Sequence, residues 1–375
     1  MAGIYLHIPF CKTRCTYCDF YSSTKQELTP LYIDSIKKEM LMRKEYIGSE
    51  IVETIYLGGG TPSQLSYEQL DEIFTTIKDN FKLAEKMEIT LEANPDDLST
   101  EYLKQLEKLP INRLSIGIQT FQDDMLQKLN RRHTSEQAIE AVKQAQKHGF
   151  DNISIDLMYG LPGETLEDWK KDLQKAISLD IQHVSAYHLI YEENTPLFKS
   201  LQQGKIKEVE EEMSLSFFKE LIKVLTENEF IHYEISNFAK PNKVAQHNTS
   251  YWLGKKYLGC GPSAHSFNGK TRECNTSTLS QYIEEIDLNK RSVDKEELST
   301  NTRFNDLIIT GLRTMWGVSL TEIMNSFGEE IYNYTLNAAK KHIKTGNLVL
   351  ENNQLKLSYK GIFISDGIMS DLLIV

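Results

Sequence analysis

Over its first 240 residues the chain alternates short β-rich runs with longer segments in which apolar residues recur every three or four positions, and this alternation constrains the fold most. The runs are 4–8, 54–57, 88–92, 113–118, 153–158, 184–189 and 232–235. Between them lie helical patterns such as Tyr32, Ile33, Ile36, Met40 and Ala138, Ile139, Val142, Ala145, the latter closed by Gly149 as a C-cap signal. Strand, helix, strand repeated about six times predicts an α/β fold with a parallel sheet, doubly wound or curled into a partial or full (β/α) barrel. Either arrangement puts ligands at the carboxyl ends of the strands, so residues there are the functional candidates.

A chain of 375 residues with 40% hydrophobic and 25% charged residues has ordinary globular composition and room for one large domain plus a small one. Lys+Arg 42 against Asp+Glu 53 gives 42 − 53 = −11, which excludes a broad basic face for nucleic acid. The longest apolar stretches are strand length, far short of the roughly 20 residues a membrane span needs. The first residues lack a basic and apolar leader pattern, and the expected location is the cytoplasm. Segment 205–212 is charge-dense and leads into an amphipathic helix over 213–225 with one buried stripe. From 281 to 303 the composition turns polar, which marks a boundary. Helices are then predicted over 304–312, 320–327 and 332–343, short strands over 348–351 and 355–357, and a last helix, together a small winged-helix-like α+β domain. Residues 301–375 hold seven Lys/Arg and seven Asp/Glu, so this domain is expected to pack on the sheet and shape the site rather than bind DNA. The division is 1–240, 241–303 as a motif segment and linker, and 304–375.

Three of the five cysteines fall in Cys11-Lys-Thr-Arg-Cys15-Thr-Tyr-Cys18, immediately after the first strand run. That is metal spacing, not a disulfide framework. Soft thiolates suit zinc or an iron–sulfur cluster. Zinc requires a fourth ligand, for which His7 is available, whereas a cubane on three cysteines leaves one iron open to an exchangeable ligand. After the second run, Gly58-Gly59-Gly60-Thr61-Pro62 allows close backbone approach and offers free N–H groups. Glu92, Gln119 and Asp156 lie in or just beyond strand runs and can accept from ribose hydroxyls. Arg132 is expected on the surface.

The CxxxCxxC spacing resembles that of the radical S-adenosylmethionine (SAM) superfamily, and the resemblance continues in register along nearly the whole chain. It implies a 4Fe-4S cluster on Cys11, Cys15 and Cys18, with SAM on the open iron and one-electron cleavage to a deoxyadenosyl radical. The glycine run resembles the family's GGE-type motif, with Thr61 in place of the acid. Tyr5-Leu-His-Ile-Pro-Phe-Cys11, Glu92-Ala-Asn-Pro95 and Asp156-Leu-Met-Tyr-Gly-Leu-Pro162 are similar to the coproporphyrinogen-oxidase-like branch. The branch resemblance implies SAM contacts at Tyr5, Tyr17, Gly59, Gly60, Thr61, Glu92, Gln119, Arg131 and Asp156.

Within the branch, oxygen-independent coproporphyrinogen III dehydrogenases carry a further cysteine where this chain has Phe20, and an N-terminal extension where only three residues precede the first run. Both differences point to the heme-chaperone members, with the dehydrogenase activity as the alternative. His247-Asn-Thr-Ser-Tyr251-Trp252 resembles their HNxxYW motif, which implies heme-iron ligation by His247 with Tyr251 and Trp252 lining the macrocycle. His265 and Cys260 are weaker ligand candidates. The resemblance thus implies heme as cargo, heme-accepting proteins as partners, membrane-associated respiratory enzymes among them, a possible homodimer, and no catalytic side chain. Since no SAM candidate falls within 247–252, the heme and SAM sites are expected to be separate, with heme at an accessible rim.

Overall fold

The computed structural model describes residues 1–374. Six parallel strands form its centre: β1 (Ala2–Ile8), β2 (Val52–Gly59), β3 (Leu83–Ala93), β4 (Arg113–Gln119), β5 (Ile153–Tyr159) and β6 (His183–His188). Each is paired in sequence order with the next, and helices such as Thr29–Met42, Tyr67–Asn80, Ser135–Lys147 and Leu166–Ser178 fill the crossovers.

The strands alternate sharply between faces. Ile4, Leu6, Ile55, Leu57, Ile89, Leu91, Leu114, Ile116, Ile155, Leu157 and Val184 are buried with the helix layer in one large core. The opposite residues are polar, and the register brings Thr90 level with Arg113, Glu92 with Ser115, and Asp156 with Ser185. A sheet flanked by helices on both faces would read as continuous apolar runs, so a polar inner face identifies a curled sheet with a working interior. The sheet is not closed. Its order runs linearly from one edge to the other, giving a partial barrel.

The last run of the expected parallel repeat behaves differently. β7 (Ile231–Glu234) and β8 (Asn237–Ala239) form an antiparallel hairpin with β8 against β6, because the two-residue connection between them is too short for a crossover. Segment 241–303, expected as a motif segment and linker, is built into the main sheet. β9 (Lys256–Cys260) lies parallel to β1 on the far side from β2, and β10 (His265–Phe267), β11 (Thr271–Asn275) and β12 (Val293–Glu297) extend it antiparallel. A buried network of Arg43, Glu39, Glu273 and Asn275 ties this extension to helix Thr29–Met42.

The C-terminal unit has its own core around Phe304, Ile308, Leu312, Ile323, Leu348, Leu355 and Leu372. Helices Thr300–Leu312 and Leu320–Lys344 pack with the sheet of β13 (Val318–Ser319), β14 (Leu348–Glu351) and β15 (Gln354–Leu357) in the predicted winged-helix-like order. The two central helices predicted from sequence are both present and are separated at Gly328, whose φ of 85° interrupts the helical path. The unit docks on the barrel through Ile235 N–H to Arg313 O (3.1 Å), Met315 N–H to Tyr233 O (2.9 Å) and the Arg313–Glu234 ion pair (2.8 Å). Among the described residues, no helix is long and apolar enough to cross a membrane.

Candidate functional site

The cysteine loop leaves the carboxyl end of β1 and is fastened by backbone bonds. Thr16 N–H donates to Leu129 O (3.1 Å), Leu197 N–H to Thr16 O (2.9 Å), and Asn130 Nδ2 to Arg14 O (2.8 Å). Tyr17 packs against a small apolar cluster containing Met125, Leu129, Met158 and Leu161 and anchors the loop. Cys11, Cys15 and Cys18 are all free and half-buried. Thr61 Oγ1 donates to Cys11 Sγ (3.4 Å) and Arg131 Nη1 to Cys15 Sγ (3.3 Å). Burial raises the Cys11 thiol and pushes Cys18 up to about 11. Among the described residues no three His, Cys, Asp or Glu side chains converge as they would on a single ion, and His7 is engaged elsewhere, its Nε2 with Tyr21 O at 2.9 Å. The donor set is three thiols beside a cation, which fits a cluster better than tetrahedral zinc.

Arg131 gathers the loop and the sheet end. Its Nη2 donates to Asn94 Oδ1 (2.7 Å) and Gly117 O (2.5 Å), while its buried Nε has no partner among the described residues. A buried donor without an acceptor is costly and marks a place for an incoming anionic group. Gln119 sits at a bulge with φ of 74°, a left-handed conformation rare for a non-glycine residue and typical of functional strand ends. Glu92 accepts from Tyr56 OH (2.7 Å) and Gly59 N–H (3.2 Å), and Asp156 from Ser115 Oγ (3.4 Å). Burial pushes Glu92 up to about 7 and Asp156 to about 6.

The glycine run does not offer the free N–H groups expected of it. Gly59 N–H goes to Glu92, Gly60 N–H to Ile8 O (2.8 Å) and Thr61 N–H to Phe10 O (2.8 Å). Its small size serves close packing, since a Cβ on Gly59 would lie 2.6 Å from the His7 ring and one on Gly60 2.7 Å from Ile8 O. Arg132 is half-buried rather than on the surface, paired with Asp96 (2.5 Å) and Asp97 (3.3 Å).

A cavity of about 710 Å³ opens inside the curled sheet, a volume suited to one cofactor-sized ligand. Its lining comes from the parallel strands (Tyr5, His7, Tyr56, Glu92 and Tyr187), from the later segment (His247, Tyr251, Tyr257 and His265) and from Asp19 to Tyr21 just after the cysteines. The expectation of separate sites is therefore not met: Tyr5 and Glu92, from the SAM set, share this cavity with residues of the 247–252 motif. Sequence reasoning missed Tyr56, Tyr187 and Tyr257, although their places on the inward alternation of β2, β6 and β9 were a usable signal.

The motif lies on helix Gln246–Trp252, whose first N–H groups, of Gln246 and His247, donate to the Glu88 carboxylate (both 2.9 Å). His247 is buried, not at an accessible rim. Its Nδ1 meets Thr54 Oγ1 (2.8 Å), its Nε2 meets Tyr251 OH (2.7 Å), and its ring stacks on Tyr56 at 5.1 Å. Both ring nitrogens, one donating and one accepting, are thus engaged, and burial lowers the imidazole to about 3. Trp252 faces away from the cavity, with the Arg313 guanidinium 5.2 Å over its ring. Cys260 is fully buried in the core against the Glu39 and Arg43 network, its thiol pushed well up by burial, and is not positioned to ligate cargo.

The radical SAM superfamily profile matches residues 5–176. The HemW heme chaperone of Bacillus subtilis strain 168 is 34% identical over 100% of this chain and 99% of its own length. The chain belongs to the HemW family of the radical SAM superfamily. A second HemW, from Lactococcus lactis strain IL1403, is 36% identical over 86% of this chain and 84% of its own. The mitochondrial radical SAM domain-containing protein 1 of Danio rerio is 30% identical over 100% of this chain and 87% of its own. The solved HemN coproporphyrinogen III oxidase of Escherichia coli shares the fold, with TM-score 0.86 and 23% identity over 99% of this chain and 89% of that one. Within this chain, segment 247–252 has its histidine in the cavity lining and its tryptophan beside Arg313 of the C-terminal unit.

Proposed function

We propose that this chain binds heme in the curled-sheet cavity and hands it to acceptor proteins, and that it holds a 4Fe-4S cluster on Cys11, Cys15 and Cys18 with SAM beside it. The observation that carries the reading is the cavity itself: aromatic walls and three histidines enclose a cofactor-sized space in a chain that matches HemW proteins end to end. When bound, the cluster and SAM supply one-electron chemistry. Around them, Arg131 offers its unpartnered Nε–H to a carboxylate, and Glu92 and Asp156 accept from hydroxyls. Tyr5, Tyr56 and Tyr251 present flat faces that exclude water from a macrocycle. Phe20, where the dehydrogenase pattern has cysteine, supports cargo handling over oxidative decarboxylation.

Hemin titrated into the anaerobically reconstituted protein should bind at about one per chain with a Soret band, as a ligated heme does. Mixing that complex with apomyoglobin should move the heme to the acceptor. Absence of hemin binding, or decarboxylation of coproporphyrinogen III in the presence of SAM and reductant, would overturn the reading.

A further inference from the structure

Three histidines line the cavity, and only one has a ring open to an incoming metal. His7 uses Nδ1 toward Tyr5 OH (3.1 Å) and Nε2 toward Tyr21 O (2.9 Å). His247 uses both ring nitrogens, as described. His265 is exposed on the cavity wall, and among the described residues neither of its ring nitrogens has a hydrogen-bond partner.

The strand geometry fixes where His265 points. The turn from β9 to β10 uses Gly261 at φ 102° and Ser263 at φ 62° to reverse the chain. A Cβ on Gly259 would lie 1.9 Å from His265 O, so only glycine lets β10 close this tightly on β9. The neighbouring Ser266 is fully buried and bonds Gly259 N–H at 3.0 Å. Strand alternation then turns His265 to the opposite face, into the cavity. Tyr257, Tyr21 and Phe20 also line the cavity and supply the flat apolar surfaces a porphyrin face needs.

Resting on the heme reading above, we infer that His265, not the motif residue His247, is the axial ligand to the iron of a heme held in this cavity. His247 then shapes the wall and keeps Tyr251 in place.

The test uses hemin and the full-length reconstituted chain. His265→Ala should weaken hemin binding at least tenfold and shift the Soret band, and added imidazole should restore the wild-type band, since a free ligand can occupy the vacated place. Far-UV circular dichroism and cluster iron should be unchanged. His265→Gln, which keeps size and polarity without a ligating ring, should behave like His265→Ala. If wild type binds hemin and His265→Ala binds it equally with the same spectrum, the ligand assignment fails while the heme reading stands. Weakened binding that imidazole does not restore would indicate a structural role and also overturn the assignment. If wild type itself binds no hemin, the heme reading falls and takes the assignment with it.

Discussion

The β1 to β5 half of the barrel and the β9–β10 extension border the same cavity but differ in how they hold their functional groups. In the parallel half, the candidates sit at strand ends or in the connections that follow them and are held by a second group, as Arg131 is by Asn94 and Gly117 O, and Glu92 by Tyr56. In the later segment, the residue with motif status, His247, is locked still more tightly, while His265, with no motif of its own, is open. Fixed resident groups call for preorganised partners, whereas a cargo that must leave calls for one accessible ligand and flat walls.

The largest expected break on the parallel side is loss of the cluster. Cys15→Ala removes a thiol and strands the Arg131 contact, and iron and sulfide after anaerobic reconstitution should fall from about four of each per chain to background. Stoichiometric zinc in the wild type would instead favour the tetrahedral reading. Next comes Arg131→Lys, which cannot span Asn94, Gly117 O and Cys15 at once. SAM affinity by calorimetry should drop roughly tenfold to a hundredfold, the range for losing charge-assisted hydrogen bonds worth about 1.5–3 kcal/mol.

A third prediction probes the link between the extension and the C-terminal unit. Arg313 pairs with the buried Glu234 and covers Trp252. Removing it by Arg313→Ala leaves a buried carboxylate without its cation, so the chain should lose about 2–3 kcal/mol by denaturant unfolding. Hemin affinity should fall as well, since helix Gln246–Trp252 loses its outer clamp. Wild-type stability would show that the ion pair does not brace the motif helix.

A smaller effect follows from protonation. Glu92 and Asp156 titrate at about 7 and about 6 in the folded chain, above the range of about 4 expected when unfolded. The folded state therefore binds more protons over that interval. The stability these two groups lend is fully present below pH of about 4 and is lost as pH rises through 6 and 7. In the SAM-free protein, Glu92→Gln should flatten the fall of melting temperature between pH 5 and 8, and an unchanged slope would remove Glu92 from that role.

Much of the parallel half was legible because β-strand, helix and turn signals repeat and because parallel strands all end on one side. The position of Glu92 or Asp156 in its run, or of Cys11 just after one, was then its position in space. The extension was not legible for two reasons. β9 returns beside β1 from 254 positions later in the chain, a pairing that no local pattern encodes, and β10 is a strand of three residues. The partners of His247 are likewise long-range: Thr54 and Glu88 come from β2 and β3. The glycine run was read for its backbone donors, yet its neighbours on β1 consume them. The polar inner alternation of Thr54, Tyr56, Thr90, Glu92, Arg113 and Ser115 was visible, and it would have shown that the sheet curls around something.

That the two halves serve one cavity is tested most directly by linkage. Hemin should be titrated anaerobically into the cluster-loaded protein with and without saturating SAM. Since Tyr5 and Glu92 belong to both the cavity and the SAM set, hemin affinity should fall at least threefold with SAM present, and SAM affinity should fall by the same factor with hemin present. Equal hemin affinity in the two titrations would contradict a shared cavity.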